Sequence, residues 1–189
     1  MAMPHTWPRQ GEWTVEAMWR LPEDGNRYEV IDGVLHVTPS PGLPHQDAAG
    51  SLYHRLRTFL ESQSVGWVYI APSDVVFTPH RGVQPDLYVA PLVAGRRPQR
   101  LDEVTRLLLA VEVLSPSTAE YDRGEKRRLY QEHADEYWIV DLETRHIERW
   151  RPDDANPAIL DAVLEWRPVG ASEPLRLDVR AFFAGVLDR

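Results

Sequence analysis

The sequence contains no cysteine and almost no lysine. Without thiols, disulfides, thiolate metal sites and cysteine nucleophiles are excluded. Of the 21 lysine and arginine side chains, Lys126 alone is a lysine. No apolar run approaches the roughly 18 residues of a membrane-spanning helix. The opening residues, MAMPHTWPRQGEW, lack the apolar core of a signal peptide. A cytoplasmic protein with no membrane association is therefore expected. Positive charge is also in deficit. A net charge of −8 disfavours loose, salt-driven binding of nucleic acid over the whole surface. It leaves room for a local basic groove and fits a site built from carboxylates.

Against these absences, one stretch stands out, LLLAVEVLSPSTAEYDRGEK, residues 107–126. Its first eight residues are apolar except for Glu112, and Ser115-Pro116-Ser117 closes them. Such a run reads as a strand buried on both faces. A carboxylate there is costly unless it is protonated, paired, or open to a cleft or metal at the strand end. A Glu that merely reaches solvent at a strand terminus is the plainer alternative. At the other end stands the lone lysine, a compact ammonium where every other basic position uses a guanidinium fork. A simple ion pair from Asp122 to Lys126 on a solvated helix face is its plainer alternative.

The rest of the chain, taken in order, predicts a single domain over 1–189. Residues 1–26 form a lead-in with a short helix over Thr14 to Arg20, capped by Thr14. Residues 27–189 form the core. Arg27 to Ile31 and Val34 to Thr38, separated only by Asp32-Gly33, predict a hairpin with a type I′ turn. Glu29 lies in its first strand, as an outward polar residue or a site residue. After the breaker-rich Pro39–Pro44 loop, apolar residues at three- and four-residue steps predict an amphipathic helix from His45 to about Ser62. Strands are expected at Gly66–Ile70, Val75–Thr78 and from Pro85 to Val89, with Arg81–Gln84 as a turn. A capped helix should run from Ser117 or Thr118 to about Tyr130. Glu136–Asp141 and His146–Trp150 predict a second hairpin, Ile159–Trp166 a strand, and Asp178–Leu187 a closing helix. This order implies a mixed α/β fold with helices over a central sheet.

Asp86, Glu112 and Lys126 can be brought together if their strands are neighbours. Two carboxylates could then share a hard cation, and the lysine could orient water or stabilise developing charge. Spacing alone does not establish this. Five stretches carry a resemblance: YEVIDGVL (28–35), PSPGLPHQ (39–46), VQPDLYVA (83–90), LLLAVEVLSPSTAEYDRGEKRRLY (107–130) and EYWIVD (136–141). In these the chain resembles the Uma-type restriction endonuclease family, a branch of the PD-(D/E)XK nuclease superfamily.

The resemblance implies a restriction-endonuclease-like α/β core, with a central mixed β-sheet flanked by helices and an N-terminal β-hairpin. It implies a metal-dependent endonuclease acting on DNA with Mg²⁺ or Mn²⁺. Asp86 and Glu112 would be the metal ligands, and these two with Lys126 the catalytic residues. Glu29 and His45 would line the cleft. The superfamily's lysine stands two residues after the glutamate, where this chain has Leu114; the resemblance shifts that role to Lys126. The segment Gln131–Asp135 departs from the family's usual Gly-Val approach to EYW. A homodimer is expected, because cutting a duplex takes two cuts. The alternatives are a non-catalytic interaction or structural protein on the same fold, or a small-molecule hydrolase using the same metal.

Overall fold

The computed structural model describes residues 7–188. Part of the expected lead-in therefore lies outside the described residues. The chain runs α1 (Val15–Met18), β1 (Arg27–Ile31), β2 (Val34–Thr38), α2 (Leu43–Gln63), β3 (Gly66–Ile70), β4 (Val75–Thr78), β5 (Arg81–Val83), β6 (Leu87–Pro91) and β7 (Leu109–Val113). A helical stretch follows in three parts: α3 (Ala119–Tyr121), a π-helical segment (Asp122–Lys126) and α4 (Arg127–His133). The chain closes with β8 (Tyr137–Asp141), β9 (His146–Trp150), β10 (Ala158–Leu160), β11 (Val163–Trp166), β12 (Leu175–Asp178) and α5 (Val179–Leu187). None of the described helices is long and apolar enough to cross a membrane.

The central sheet has six strands in the order β10-β9-β8-β7-β6-β3. It is mixed, because β7 and β8 run parallel and every other neighbour pair is antiparallel. Strand β7 is central and wholly buried, as its apolar run predicts. Alternation along it divides the core. Leu109, Val111 and Val113 pack on the face covered by α2 and α5, whereas Ala110 faces the layer that holds Leu129 and Tyr130 of α4. Glu112, two residues from Ala110, shares that second face.

Helix α2 presents Ala48, Ala49, Leu52, Leu56 and Leu60 to the sheet. Pro44 stands in its first turn, where a missing N–H costs nothing. Helix α5 is capped by Asp178, whose carboxylate accepts from the Ala181 N–H at 2.9 Å, and it buries Phe182 and Phe183. The predicted hairpin forms with Asp32 and Gly33 both at positive φ, 51° and 78°. It belongs to a second sheet of four strands, β2-β1-β5-β4.

Three expectations are corrected. Residues 81–83 are strand β5, and the turn falls two residues earlier at Pro79-His80; the Arg-Gly pair concealed a strand held by pairing to β4 and β1. Residues 159–166 are two strands, broken at Asp161-Ala162, with the second paired to β12. The helix expected to end near Tyr130 runs on to His133 and contains the π-helical segment.

Candidate active site

Asp86 immediately precedes β6, which pairs antiparallel with β7 in the register Leu87 to Val111 and Tyr88 to Ala110. One further step along that register sets Asp86 opposite Glu112. A hydrogen bond fixes the approach: the Val113 N–H donates to Asp86 Oδ2 at 2.8 Å. The two carboxylates therefore share one sheet face although 26 positions separate them in sequence. The helical stretch after β7 folds back over that face. Asp122, Lys126 and Tyr130 are spaced by four, so all three turn toward the sheet.

Lys126 is the hub. Its ammonium donates to Glu112 Oε1 at 2.8 Å, lies 3.0 Å from Glu29 Oε2, and is 3.8 Å from Asp122 Oδ1. The Tyr130 hydroxyl donates to the same Glu112 oxygen at 3.0 Å. Glu29 is buried rather than outward-facing, and its other oxygen accepts from the Gln84 N–H at 2.7 Å. Asp86 has its own partners. Arg27 Nη1 donates to Oδ1 at 2.6 Å, and His45 Nε2 lies 2.9 Å from Oδ2. Strand β1 thus sends Arg27 and Glu29, two residues apart and on one face, into the same site from the second sheet.

Burial sets the electrostatics. Desolvation disfavours the Lys126 ammonium, but the charges of Glu112, Glu29 and Asp122 outweigh it and hold its pKa well above the usual lysine value. Desolvation drives Glu112 well above the usual carboxylate range; Asp86, Asp122 and Glu29 push the same way against the pull of Lys126. Asp122 is pushed up to about 6, chiefly by burial. For Asp86 burial also acts upward, yet the His45 hydrogen bond and charge, Arg27 and the Val113 N–H bring it down to about 2. Tyr130 is raised well above 10 by burial and by Glu112, so it remains a phenol and a donor.

These groups converge on a polar cleft of about 100 Å³, bounded by Arg27, His45, Asp86, Glu112, Asp122 and Lys126 together with the hydroxyls of Ser40, Ser115, Ser117 and Thr118. Four buried carboxylates face two permanent cations, and Asp122 Oδ1 is enclosed without a hydrogen-bond partner. An all-oxygen, electron-rich set of this kind suits a hard divalent cation. Among the described residues no three His, Asp or Glu side chains are drawn together as a ready-made chelate; Arg27 and Lys126 engage the oxygens of Asp86 and Glu112 instead.

All five residues singled out in the sequence meet here. Arg27 and Tyr130 were missed, and Asp122 was read only as a partner for Lys126. Signals for each existed in the two-residue step from Arg27 to Glu29 and the four-residue steps from Asp122 to Tyr130. Leu114, at the superfamily's usual lysine position, is partly buried against the apolar layer.

The structure matches the crystal structure of a "putative nuclease belonging to DUF820" from Anabaena variabilis ATCC 29413, with a TM-score of 0.75 over 92% of this chain and 99% of that one, at 19% identity. The sequence matches the family Uma2, "Putative restriction endonuclease", over residues 15–183. The chain belongs to that family. No curated protein matches the sequence.

Proposed function

We propose that the chain is a metal-dependent endonuclease that hydrolyses DNA phosphodiester bonds. One observation carries the reading: Asp86, Glu112 and Lys126 meet in a single polar cleft, although they come from two strands and a helical segment. Asp86 and Glu112 would hold Mg²⁺ or Mn²⁺. When bound, such an ion polarises a phosphoryl oxygen and lowers the pKa of a coordinated water. Lys126, held protonated by its acidic neighbours, orients the attacking water or offsets charge that develops on the phosphoryl oxygens; it cannot serve as a general base while it carries its proton. Glu29 and Tyr130 position the Lys126–Glu112 pair. His45 orients Asp86, and Arg27 neutralises its charge while no ion is bound. Two cuts in a duplex call for two such sites, so the working form in this reading is a homodimer; a monomeric mass in sedimentation at assay concentration would count against that.

The test is cleavage of supercoiled plasmid and single-stranded DNA with Mg²⁺, with Mn²⁺ and with chelator. Wild type is run beside Asp86→Asn, Glu112→Gln and Lys126→Met. Metal-dependent cutting that drops about a hundredfold or more in each variant is expected. Cutting retained in Lys126→Met would keep the nuclease and remove the lysine's role. No cutting of any substrate, with no metal-induced thermal shift, would favour a non-catalytic protein on this fold.

A further inference from the structure

Three residues, Gly42, His45 and Ser115, border both the polar cleft and a second groove of about 420 Å³. The groove runs on along the apolar side chains of Pro44, Leu114, Pro116 and Leu142. The shared border includes the head of α2, a helix of 21 residues that begins without a side-chain cap. Gly42 is its N-cap, no acid stands in its first turn, and its first helical bond runs from the Gln46 N–H to the Gly42 carbonyl at 3.1 Å. Pro44 has no N–H, so the donors left open at this end are those of Leu43 and His45. Nothing in the backbone calls for glycine at position 42. Its φ is −77°, and a Cβ built there meets nothing within 4 Å. What glycine provides is an unoccupied helix head. A second feature also calls for a ligand. His45 is 8% exposed, its Nε2 lies 2.9 Å from Asp86 Oδ2, and its Nδ1 is enclosed with no hydrogen-bond partner. Buried polar atoms are rarely left bare.

We propose that the head of α2 binds a backbone phosphate of the DNA strand where it passes from the cleft into the groove. This rests on the nucleic-acid reading above and needs no metal ion. Open N–H groups and the positive end of a long helix dipole together favour an anion. The phosphate oxygens accept from the Leu43 and His45 N–H groups and from the Ser115 hydroxyl, which is held 3.1 Å from that of Ser117 and 3.0 Å from that of Thr118. The His45 ring then stands between two anions, Asp86 and the phosphate, and as an imidazolium donates to one from each nitrogen. Asp86 and Glu112 are each engaged by a cation, Arg27 and Lys126, so a phosphate at the rim meets paired rather than bare carboxylates. Beyond it, the apolar wall of the groove suits sugars and bases.

The test is binding of a short fluorescein-labelled single-stranded DNA to the full chain. Anisotropy is read with chelator and again with Ca²⁺, beside each protein's melting temperature. Leu43→Pro deletes one donor and little else. The side chain is 81% exposed, the first helical position favours proline, and Gly42 already has the extended ψ, 173°, that a residue before proline adopts. Gly42→Asn and Gly42→Asp supply the missing cap, which should hold or raise the melting temperature, and they fill the open donors. Val169→Asp adds the same charge as Gly42→Asp at an exposed position near the other end of α2, where the Ser172 N–H donates to Gln63. Leu43→Pro and Gly42→Asn should each weaken DNA binding about tenfold and Gly42→Asp by more, while Val169→Asp stays close to wild type. Wild-type affinity in both Leu43→Pro and Gly42→Asn would overturn the phosphate site and leave the nucleic-acid reading standing. A loss shared equally by Gly42→Asp and Val169→Asp but absent in Gly42→Asn would reduce the effect to net charge and overturn the site as well. No DNA binding by wild type under either condition would overturn both readings. Should Leu43→Pro fail to fold, Gly42→Asn decides.

Discussion

Lys126 Nζ lies 2.8 Å from Glu112 Oε1, and both side chains are almost completely buried. Removing one member of such a pair strands the other charge in the interior, at a cost of about 3–5 kcal/mol. Lys126→Met should approach that loss, because it deprives Glu29 as well as Glu112 of a cation. Glu112→Gln should cost less, since Lys126 keeps Glu29 at 3.0 Å. Urea unfolding of the two variants and of the double variant measures this. A Lys126→Met protein as stable as wild type would mean that the ammonium does not hold the cluster together.

Arg27 and a divalent cation would compete for one carboxylate. Arg27 Nη1 sits 2.6 Å from Asp86 Oδ1, and the guanidinium cannot release its charge by losing a proton. Arg27→Gln should therefore tighten Mn²⁺ binding several-fold. It should also weaken binding of a short duplex, because the cleft loses a planar fork suited to phosphate, and lower the slope of log affinity against log salt by about 1. Titration calorimetry with Mn²⁺ and fluorescence anisotropy with duplex read the two effects separately. Weaker Mn²⁺ binding in Arg27→Gln would show that Arg27 supports Asp86 as a ligand rather than competing with the ion.

How far the site could be read from the chain depends on the length scale of each interaction. The β1–β2 hairpin was legible because two positive-φ positions in sequence call for a residue pair like Asp32-Gly33. The predicament of Glu112 was legible because its seven apolar neighbours announce a buried strand. The pairing of Asp86 with Glu112 was legible only through the family resemblance, since it depends on the register between β6 and β7, which no local pattern encodes. Arg27 went unread for the same reason: the two-residue step to Glu29 puts both on one face, but its partner is 59 positions away. Strand β12 escaped because Leu175–Asp178, LRLD, alternates over only four residues and gains its strand character from pairing with β11. Short strands fixed by tertiary pairing were lost, whereas long periodic helices such as α2 were found to within a few residues.

Asp141 makes acid stability testable away from the cleft. Burial opposes its ionisation, but the Thr144 and Glu143 N–H groups and Arg123 stabilise the carboxylate and hold its pKa below the ordinary Asp value. A depressed folded-state pKa contributes stability that is present above the unfolded value, about 3.9, and is lost as pH falls through the folded value. Asp141→Asn should therefore be less stable than wild type at neutral pH, with the difference shrinking as the pH drops below about 4. Urea midpoints measured across that range check it. A difference that stays constant with pH would assign the effect to packing of the β8–β9 turn instead of to the charge.

Gly33 connects the hairpin turn to the cleft. Its φ of 78° lies in the region that L side chains avoid, and a methyl group there would run into the carbonyl oxygen of Gly11. The same turn receives the preceding chain, because the Gly11 and Trp13 N–H groups both donate to the Gly33 carbonyl at 2.9 Å. Gly33→Ala combines backbone strain with overpacking, and overpacking alone typically costs about 1–3 kcal/mol. Strand β1 runs into this turn and carries Arg27 and Glu29, so a displaced hairpin should disturb Arg27 and, through Glu29, Lys126. The variant should melt below wild type and also bind Mn²⁺ with altered affinity, though it changes no residue of the cleft. Scanning calorimetry and metal titration on the same preparation test the link. A lower melting temperature with unchanged Mn²⁺ binding would show that the hairpin stabilises the fold without setting the geometry of the site.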